Sequence, residues 1–303
     1  MNSINLARER GLYTTFSQRA IQLHQQELAR LQEQMSTQKR VNRASDDPAS
    51  FSQARRMEAL GVRYNQYQTT IDSSRAWVNQ SQAALQELTE IFSKAYELGL
   101  RAANASFNQD DAETVARSLE DLLDQTIDGL NAQSGDEYLF AGSLTTVQPF
   151  TVDSGTGAVE YNGNTGARKR HIGLNISLTI NLPGNQIHDT GNGYTITESL
   201  QNLIDGVRSG DHAAVTSALD QVLKSRNHLI DRTSEIGTIA GRLTVAQNQI
   251  ADALLSVESR RSAAEDADFT ETLMAFQKEQ NSLQAALQTT ASLLRTTILD
   301  YLR

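Results

Sequence analysis

The sequence predicts a mainly α fold with a small β-rich domain inserted in its middle, the two chain ends forming a long antiparallel helical bundle or coiled coil. Three observations lead there. Two of the three prolines and ten of the 18 glycines fall between Gly135 and Thr197, where turns and short strands belong. No proline stands between Ala49 and Val147 or after Pro183, so nothing obliges a helix to stop on either flank. Both flanks also place apolar residues at alternating steps of three and four, the spacing of a coiled-coil seam. With only 6% aromatic residues and no cysteine, such a fold rests on narrow packed seams, without disulfides.

Taken in order, the first 40 residues carry Ile21, Leu28 and Met35 at heptad spacing, with Phe16, Leu23 and Leu31 beside them. Asp46-Asp47-Pro48 reads as a helix start, because the Asp47 carboxylate can accept the first free N–H groups and proline suits the first helical position. From Pro48 a helix is expected to about Asn104, on the order of 80 Å long. Its seam is Ile71, Ser74, Val78, Ser81, Leu85, Leu88, Phe92 and Ala95, with Gly61 and Gly99 as possible breaks. Trp77 lies one position off that seam and reads as core. A second helix, about 110–130, sets Val115, Leu119, Leu122, Leu123 and Ile127 on one side, and Asn108, Asp110 and Asp111 supply its cap and acidic first turn.

In the middle, Tyr138-Leu139-Phe140, Val159-Glu160-Tyr161, residues 172–182 and Tyr194-Thr195-Ile196 read as short strands, with Asn162-Gly163 as a turn signal. Beyond them, Leu200, Leu203, Ile204 and Val207 mark a helix ended by Gly210, and Val215, Leu219, Val222, Leu223 and Ile230 mark another. Then the seam returns as Ile236, Ile239, Leu243, Ala246, Ile250, Ala253 and Val257. Glu265, Asp266 and Asp268 complement the start of a last helix, which carries Phe269, Leu273, Phe276, Leu283, Leu287, Leu294 and Tyr301. Residues 1–40 with 266–303 are expected to form the helix-pairing assembly part, 41–134 with 198–265 a helical rod, and 135–197 an outer β-rich part. An amphipathic helix cannot bury its stripe alone, so the ends need a partner within the chain or in another copy.

Composition and motifs narrow the function. A net charge of −9 argues against nucleic acid, which needs a dense basic surface, and the cluster Arg168-Lys169-Arg170-His171 reads as a solvated turn. No apolar run approaches the roughly 20 residues that cross a bilayer, so no membrane partner is expected. The opening residues 1–10 lack the apolar core of a signal peptide, which suits a cytoplasmic chain or one exported without a cleaved signal. His24, His171, His188, His212 and His228 are scattered, and no metal or cofactor is expected. A nucleophile elbow, a phosphate loop and a dinucleotide fingerprint are all missing. The carboxylate pairs Asp46/Asp47 and Asp266/Asp268 are explained by helix starts before acid-base chemistry. An enzyme hidden in the middle would have to recruit His171 and His188. The residues therefore describe a structural protein, not an enzyme, with an intracellular coiled-coil adaptor as the rival from another class.

The run Arg40-Val41-Asn42-Arg43-Ala44-Ser45-Asp46-Asp47-Pro48-Ala49 resembles a segment near the N-terminus of bacterial flagellins, and more closely of the hook–filament junction members of that family. The family commonly has proline where this chain has Ala44, a departure that leaves the helix start at Asp47-Pro48 intact. Gly135-Asp136-Glu137-Tyr138-Leu139-Phe140-Ala141-Gly142 with Gln148-Pro149-Phe150 resembles the start of the junction proteins' outer domain. The segments 236–243 and 266–302 are similar to the family's returning helices. This resemblance implies an extracellular part of the bacterial flagellum, carried uncleaved through the flagellar type III export channel and stacked as a ring between hook and filament. The implied partners are further copies of itself, a neighbouring hook-associated protein, flagellin, and an export chaperone acting on the C-terminal helices. Filament flagellin is the alternative within the class, and the small β-rich middle with the 138–150 motif argues against it. The stripes at both ends are expected to be loose in a monomer and buried on assembly.

Overall fold

A computed structural model describes residues 3–103, 109–153 and 155–301, without the side chains of 3–14, 109 and 293–301. The elements in chain order are α1 (Ser3–Thr37), α2 (Pro48–Ala102), α3 (Gln109–Leu130), β1 (Gln133–Ser134), β2 (Glu137–Tyr138), β3 (Phe150–Val152), β4 (Val159–Tyr161), β5 (Lys169–Gly173), β6 (Ile176–Thr179), α4 (Gly184–His188), α5 (Ile196–Ser209), α6 (His212–Glu265) and α7 (Phe269–Tyr301). Two compact units emerge, Met1–Arg63 with Leu254–Arg303, and Tyr64–Ala253. The expected caps and helix end at Asn104 and Asn108 lie outside the described residues.

Within the unit Tyr64–Ala253, all eight seam residues of α2, from Ile71 to Ala95, are buried. α6 runs antiparallel to α2: Gln247 donates to Asp72 at 3.2 Å, while further along α2 the Tyr96 ring has the Arg226 guanidinium 5.8 Å from its centre. Gly99 does not break α2. A Cβ there would sit 2.6 Å from a methyl of Leu219 and 3.1 Å from Leu203, so the missing side chain lets α5 and α6 approach closely. The two helices expected between Val215 and Val257 are one helix of 54 residues, since no proline or capping turn separates them. Along it Ile236, Leu243 and Ile250 are buried at every seventh position, while Ile239, Ala246 and Ala253 are half-buried. Ile230, expected on the apolar side, is exposed, and its neighbour Leu229 fills the core instead.

The inserted module is built from three separate antiparallel hairpins, and here the sequence reading needs correction. The single strand expected over 172–182 is split by Asn175 at φ 60 into β5 and β6. Asn162-Gly163 follows β4 without closing a hairpin; β3 and β4 are joined instead through Asp153, whose carboxylate accepts from Gly155 and Thr156 amides at 3.0 and 2.7 Å. Tyr194-Thr195-Ile196 is no strand. Thr195 caps α5, with a reciprocal Glu198 contact of 2.6 Å to the Thr195 amide, and this capping box outweighs the β propensity of the run.

Phe150 is the centre of the module, fully buried between the rings of Tyr161 at 5.1 Å and His188 at 5.2 Å. Asn131, at the end of α3, pairs twice with the Phe150 backbone, both bonds at 3.0 Å. Asn181, also buried, donates to the Gly142 and Gly166 carbonyls and accepts from the Arg168 amide at 2.7 Å. These carboxamides satisfy loop backbone that no ladder reaches. Arg168 is not part of a solvated turn: its guanidinium stacks 4.1 Å over the Trp77 ring and pairs with Glu137 at 2.8 Å, so one side chain ties the module to α2.

His188 is 6% exposed, and its Nε2 lies 2.8 Å from the Thr197 hydroxyl. Burial holds its pKa below the ordinary 6.5. The unfolded chain therefore takes up a proton first as pH falls, so this contribution to stability is full above about 6.5 and is lost as pH drops through the folded-state value. The thermal stability of the wild-type protein is expected to fall over that range, and more steeply than that of a His188→Gln variant. Parallel pH dependence of the two would contradict the assignment.

Candidate functional site

The chain ends meet in the unit formed by Met1–Arg63 and Leu254–Arg303. Lys39 forms an antiparallel bridge with Asp266, and His24, earlier on α1, reaches Glu279, later on α7, at 2.5 Å. The two helices thus run antiparallel along each other. On the facing side Leu31 is buried, and Ile21, Leu28, Met35, Leu273, Phe276 and Leu283 are half-buried. The pairing leaves much apolar surface open: Phe16 is 68% exposed, Leu23 59%, Phe269 54%, Met274 60% and Leu287 48%. The side chains of Leu294 and Tyr301 lie outside the described residues. The stripe read from sequence, which did not include Met274, therefore separates into a part used within the chain and a part left uncovered.

Between α1 and α2, residues 38–47 are held against 262–268. Glu265 accepts from the Arg40 and Val41 amides at 2.7 and 3.3 Å, and the Ala267 amide donates to Gln38 at 2.9 Å. Arg40 carries most of this junction. Its guanidinium donates to the Ala264 carbonyl at 3.0 Å, to the Ser50 hydroxyl at 3.2 Å, and to Asp47 at 3.4 Å. It thus satisfies a free carbonyl at the end of α6 and the start of α2 together. Buried Gln34 donates to the Arg40 carbonyl at 2.7 Å.

The motif residues divide the local work. Asp47 caps α2, accepting from the Ala49 and Ser50 amides at 3.2 and 3.1 Å, with Pro48 as its first residue. The Ser50 hydroxyl and amide, with Arg40 in addition, hold the Asp47 carboxyl down to about 2. Asp46 instead closes the preceding turn, accepting from the Asn42 and Arg43 amides at 3.0 and 2.8 Å. The Asn42 carboxamide donates to the Lys39 carbonyl at 3.1 Å, and Ser45 sits exposed in the turn. At the other end Asp268 caps α7, accepting from Thr270 and Glu271 amides at 2.8 and 3.2 Å. Glu265, expected to complement that helix start, is the last residue of α6 and pairs with Lys39 at 2.9 Å.

Among the described residues no group of three His, Asp or Glu side chains is placed to hold a metal ion. His171 contacts Ser177 at 2.9 Å and His188 contacts Thr197, so the two do not share a partner. No helix among the described residues is long and apolar enough to cross a membrane. Sequence reasoning overlooked Gln34, Lys39 and Glu279, and named Arg40 only as part of the motif, because a polar side chain that bridges distant segments leaves no periodic trace.

Chain ends paired as antiparallel helices, with a capped turn leading from α1 into α2 and a β-rich module in the middle of the sequence, define a helix-paired fold. Residues 13–145 match the bacterial flagellin N-terminal helical region and residues 216–302 the bacterial flagellin C-terminal helical region, together more than half of the chain. The chain belongs to the bacterial flagellin family. It is similar to flagellar hook-associated protein 3 of Escherichia coli (strain K12), 26% identical over 291 residues, covering 88% of this chain and 90% of that protein. It is also similar to flagellin FlaB2 of Treponema pallidum (strain Nichols), 26% identical over 293 residues, covering 92% and 95%. Among solved structures, the flagellar junction protein FlgL from Legionella pneumophila aligns with a TM-score of 0.61 at 14% identity, covering 71% of this chain and 100% of that one, a likeness of fold. The relatives are structural flagellar proteins, and the flagellum is where the family places this chain.

Proposed function

We propose that this chain is a structural subunit of the bacterial flagellum that forms the junction ring between hook and filament, its copies packing axially through their terminal helices. The observation that carries the reading is the apolar surface that α1 and α7 leave open after pairing: Phe16, Leu23, Phe269, Met274 and Leu287 stay exposed. On paired helices such exposed apolar side chains are surface that a neighbouring copy would cover. Burying each one contributes roughly 1.5–3 kcal/mol, and identical copies present the same surface to one another.

On this reading the subunit works outside the cell, arrives through the flagellar export channel without a cleaved signal, and is escorted by a chaperone that covers the C-terminal helix. Its axial neighbours are another hook-associated protein on one side and flagellin on the other. Nothing in the role requires catalysis or a cofactor. The likeness to the hook-associated protein and to the junction structure supports the junction over the filament, as does the small module between β1 and α4.

Deletion of the gene tests it. Intact hooks with short or detached filaments are expected, together with about a ring's worth of copies per flagellum in the parent strain. Copies in filament-like numbers would favour a filament subunit, and normal filaments after deletion would overturn the role.

A further inference from the structure

We propose that Asn192, ahead of Gly193, is a site of spontaneous deamidation in the folded protein, while Asn162, ahead of Gly163, is protected from it. Both are Asn-Gly pairs, the sequence in which a following residue without a side chain least hinders ring closure. In the reaction the Gly193 backbone nitrogen attacks the Asn192 side-chain carbonyl carbon. A new N–C bond forms, the bond to the side-chain nitrogen breaks, and ammonia leaves with the proton from the backbone amide. Water then opens the succinimide at either carbonyl, giving aspartate or isoaspartate. No electron transfer is involved.

The structure sets the two sites apart. Asn192 and Gly193 are both exposed, in the turn closed by the Asp189–Thr195 bridge. Gly193 has φ 82, and a Cβ built on it or on Gly191 meets nothing within 4 Å, so ring closure and water have room. Among the described residues no hydrogen bond engages the Gly193 amide, nor the Gly163 amide, so the difference lies in the space and the side-chain bonds around them. Among the described residues the Asn192 carboxamide is held only by the nearby Thr190 carbonyl at 3.1 Å.

Asn162 is fixed at both ends. Its amide donates to the Pro149 carbonyl at 2.7 Å and its carboxamide to the Thr151 hydroxyl at 2.7 Å. Gly163 is packed against Tyr161, where a Cβ would meet the hydroxyl oxygen and two ring carbons inside 3 Å. That hydroxyl is itself bonded to the Phe140 and Asn164 carbonyls at 3.1 and 2.9 Å. Swinging the Gly163 nitrogen onto the Asn162 side chain would have to break this arrangement. Conversion at Asn192 adds one negative charge, and the isoaspartate product lengthens the backbone just ahead of the Thr195 cap of α5.

The test is incubation of the full chain in mildly alkaline buffer, with peptide mapping by mass spectrometry, in native solution and in urea. In native protein the amide is expected to be lost at Asn192 and retained at Asn162, with both lost at similar rates once the chain is unfolded. In urea, where the φ 82 backbone that would strain an added methyl no longer holds, a Gly193→Ala variant should slow the loss at Asn192. Equal conversion of the two sites in native protein would overturn the proposal, as would an Asn192 that converts only in urea.

Discussion

Replacing Phe16 and Leu23 by aspartate, or Met274 and Leu287, is expected to leave the free subunit folded and to abolish its incorporation into flagella. In the single subunit these four side chains are 48–68% exposed, and changes at such positions usually shift stability by no more than about 0.5 kcal/mol. In the assembled structure the same carboxylates would have to leave water without a partner, which costs at least several kcal/mol for each buried charge. The predicted result is an unchanged unfolding temperature for purified protein beside loss of motility and of attached filaments. Normal motility would show that assembly uses another surface. A matched pair on the inner side, Leu31→Asp with Leu28→Asp, should behave differently, lowering the stability of the free subunit as well, because Leu31 is already buried against its own chain.

The second large effect is expected at Phe150. Its ring is fully buried between Tyr161 and His188, so Phe150→Ala removes the centre of the inserted module and leaves a cavity. The expected loss is about 3–5 kcal/mol. Val152, two residues on along β3, is 49% exposed, and Val152→Ala should cost no more than about 0.5 kcal/mol. Denaturant melts of the two variants provide the comparison. Equal and small effects would mean that the hairpins are held by their backbone and carboxamide bonds alone.

The helices were legible because they repeat. All eight positions named on the α2 seam are buried, since alternating three and four residue steps keep one face toward a partner over the whole length of a helix. Helix starts were legible for a local reason: Asp47, Asp268 and Thr195 each accept amides two or three residues ahead, although the Thr195 signal lost to the β propensity around it. The inserted module was legible only in outline. Its strands are two to five residues long, too short for alternation to register, and its loops are organised by Asn131, Asn164 and Asn181, whose long-range bonds span 13 to 39 residues in sequence. The same limit explains why Arg168 was misjudged. A basic residue among glycines looks solvated until Trp77, far back on α2, is seen beneath it.

For the candidate site, sequence named which residues were apolar but not which of them the subunit would cover for itself. That division depends on the side from which α7 approaches α1, set by the bridge between Lys39 and Asp266 and by the His24–Glu279 contact. Heptad spacing places Leu28 and Leu287 in equivalent patterns, yet one is half-buried and the other 48% exposed.

The natural absence of cysteine allows the central claim to be measured directly. Single Leu23→Cys and Met274→Cys variants, each labelled with a thiol reagent as free subunit and again in intact flagella, would report whether the uncovered faces of α1 and α7 are where copies meet. Both thiols should react readily in the free protein and be protected after assembly. Equal reactivity in the two states would contradict the account.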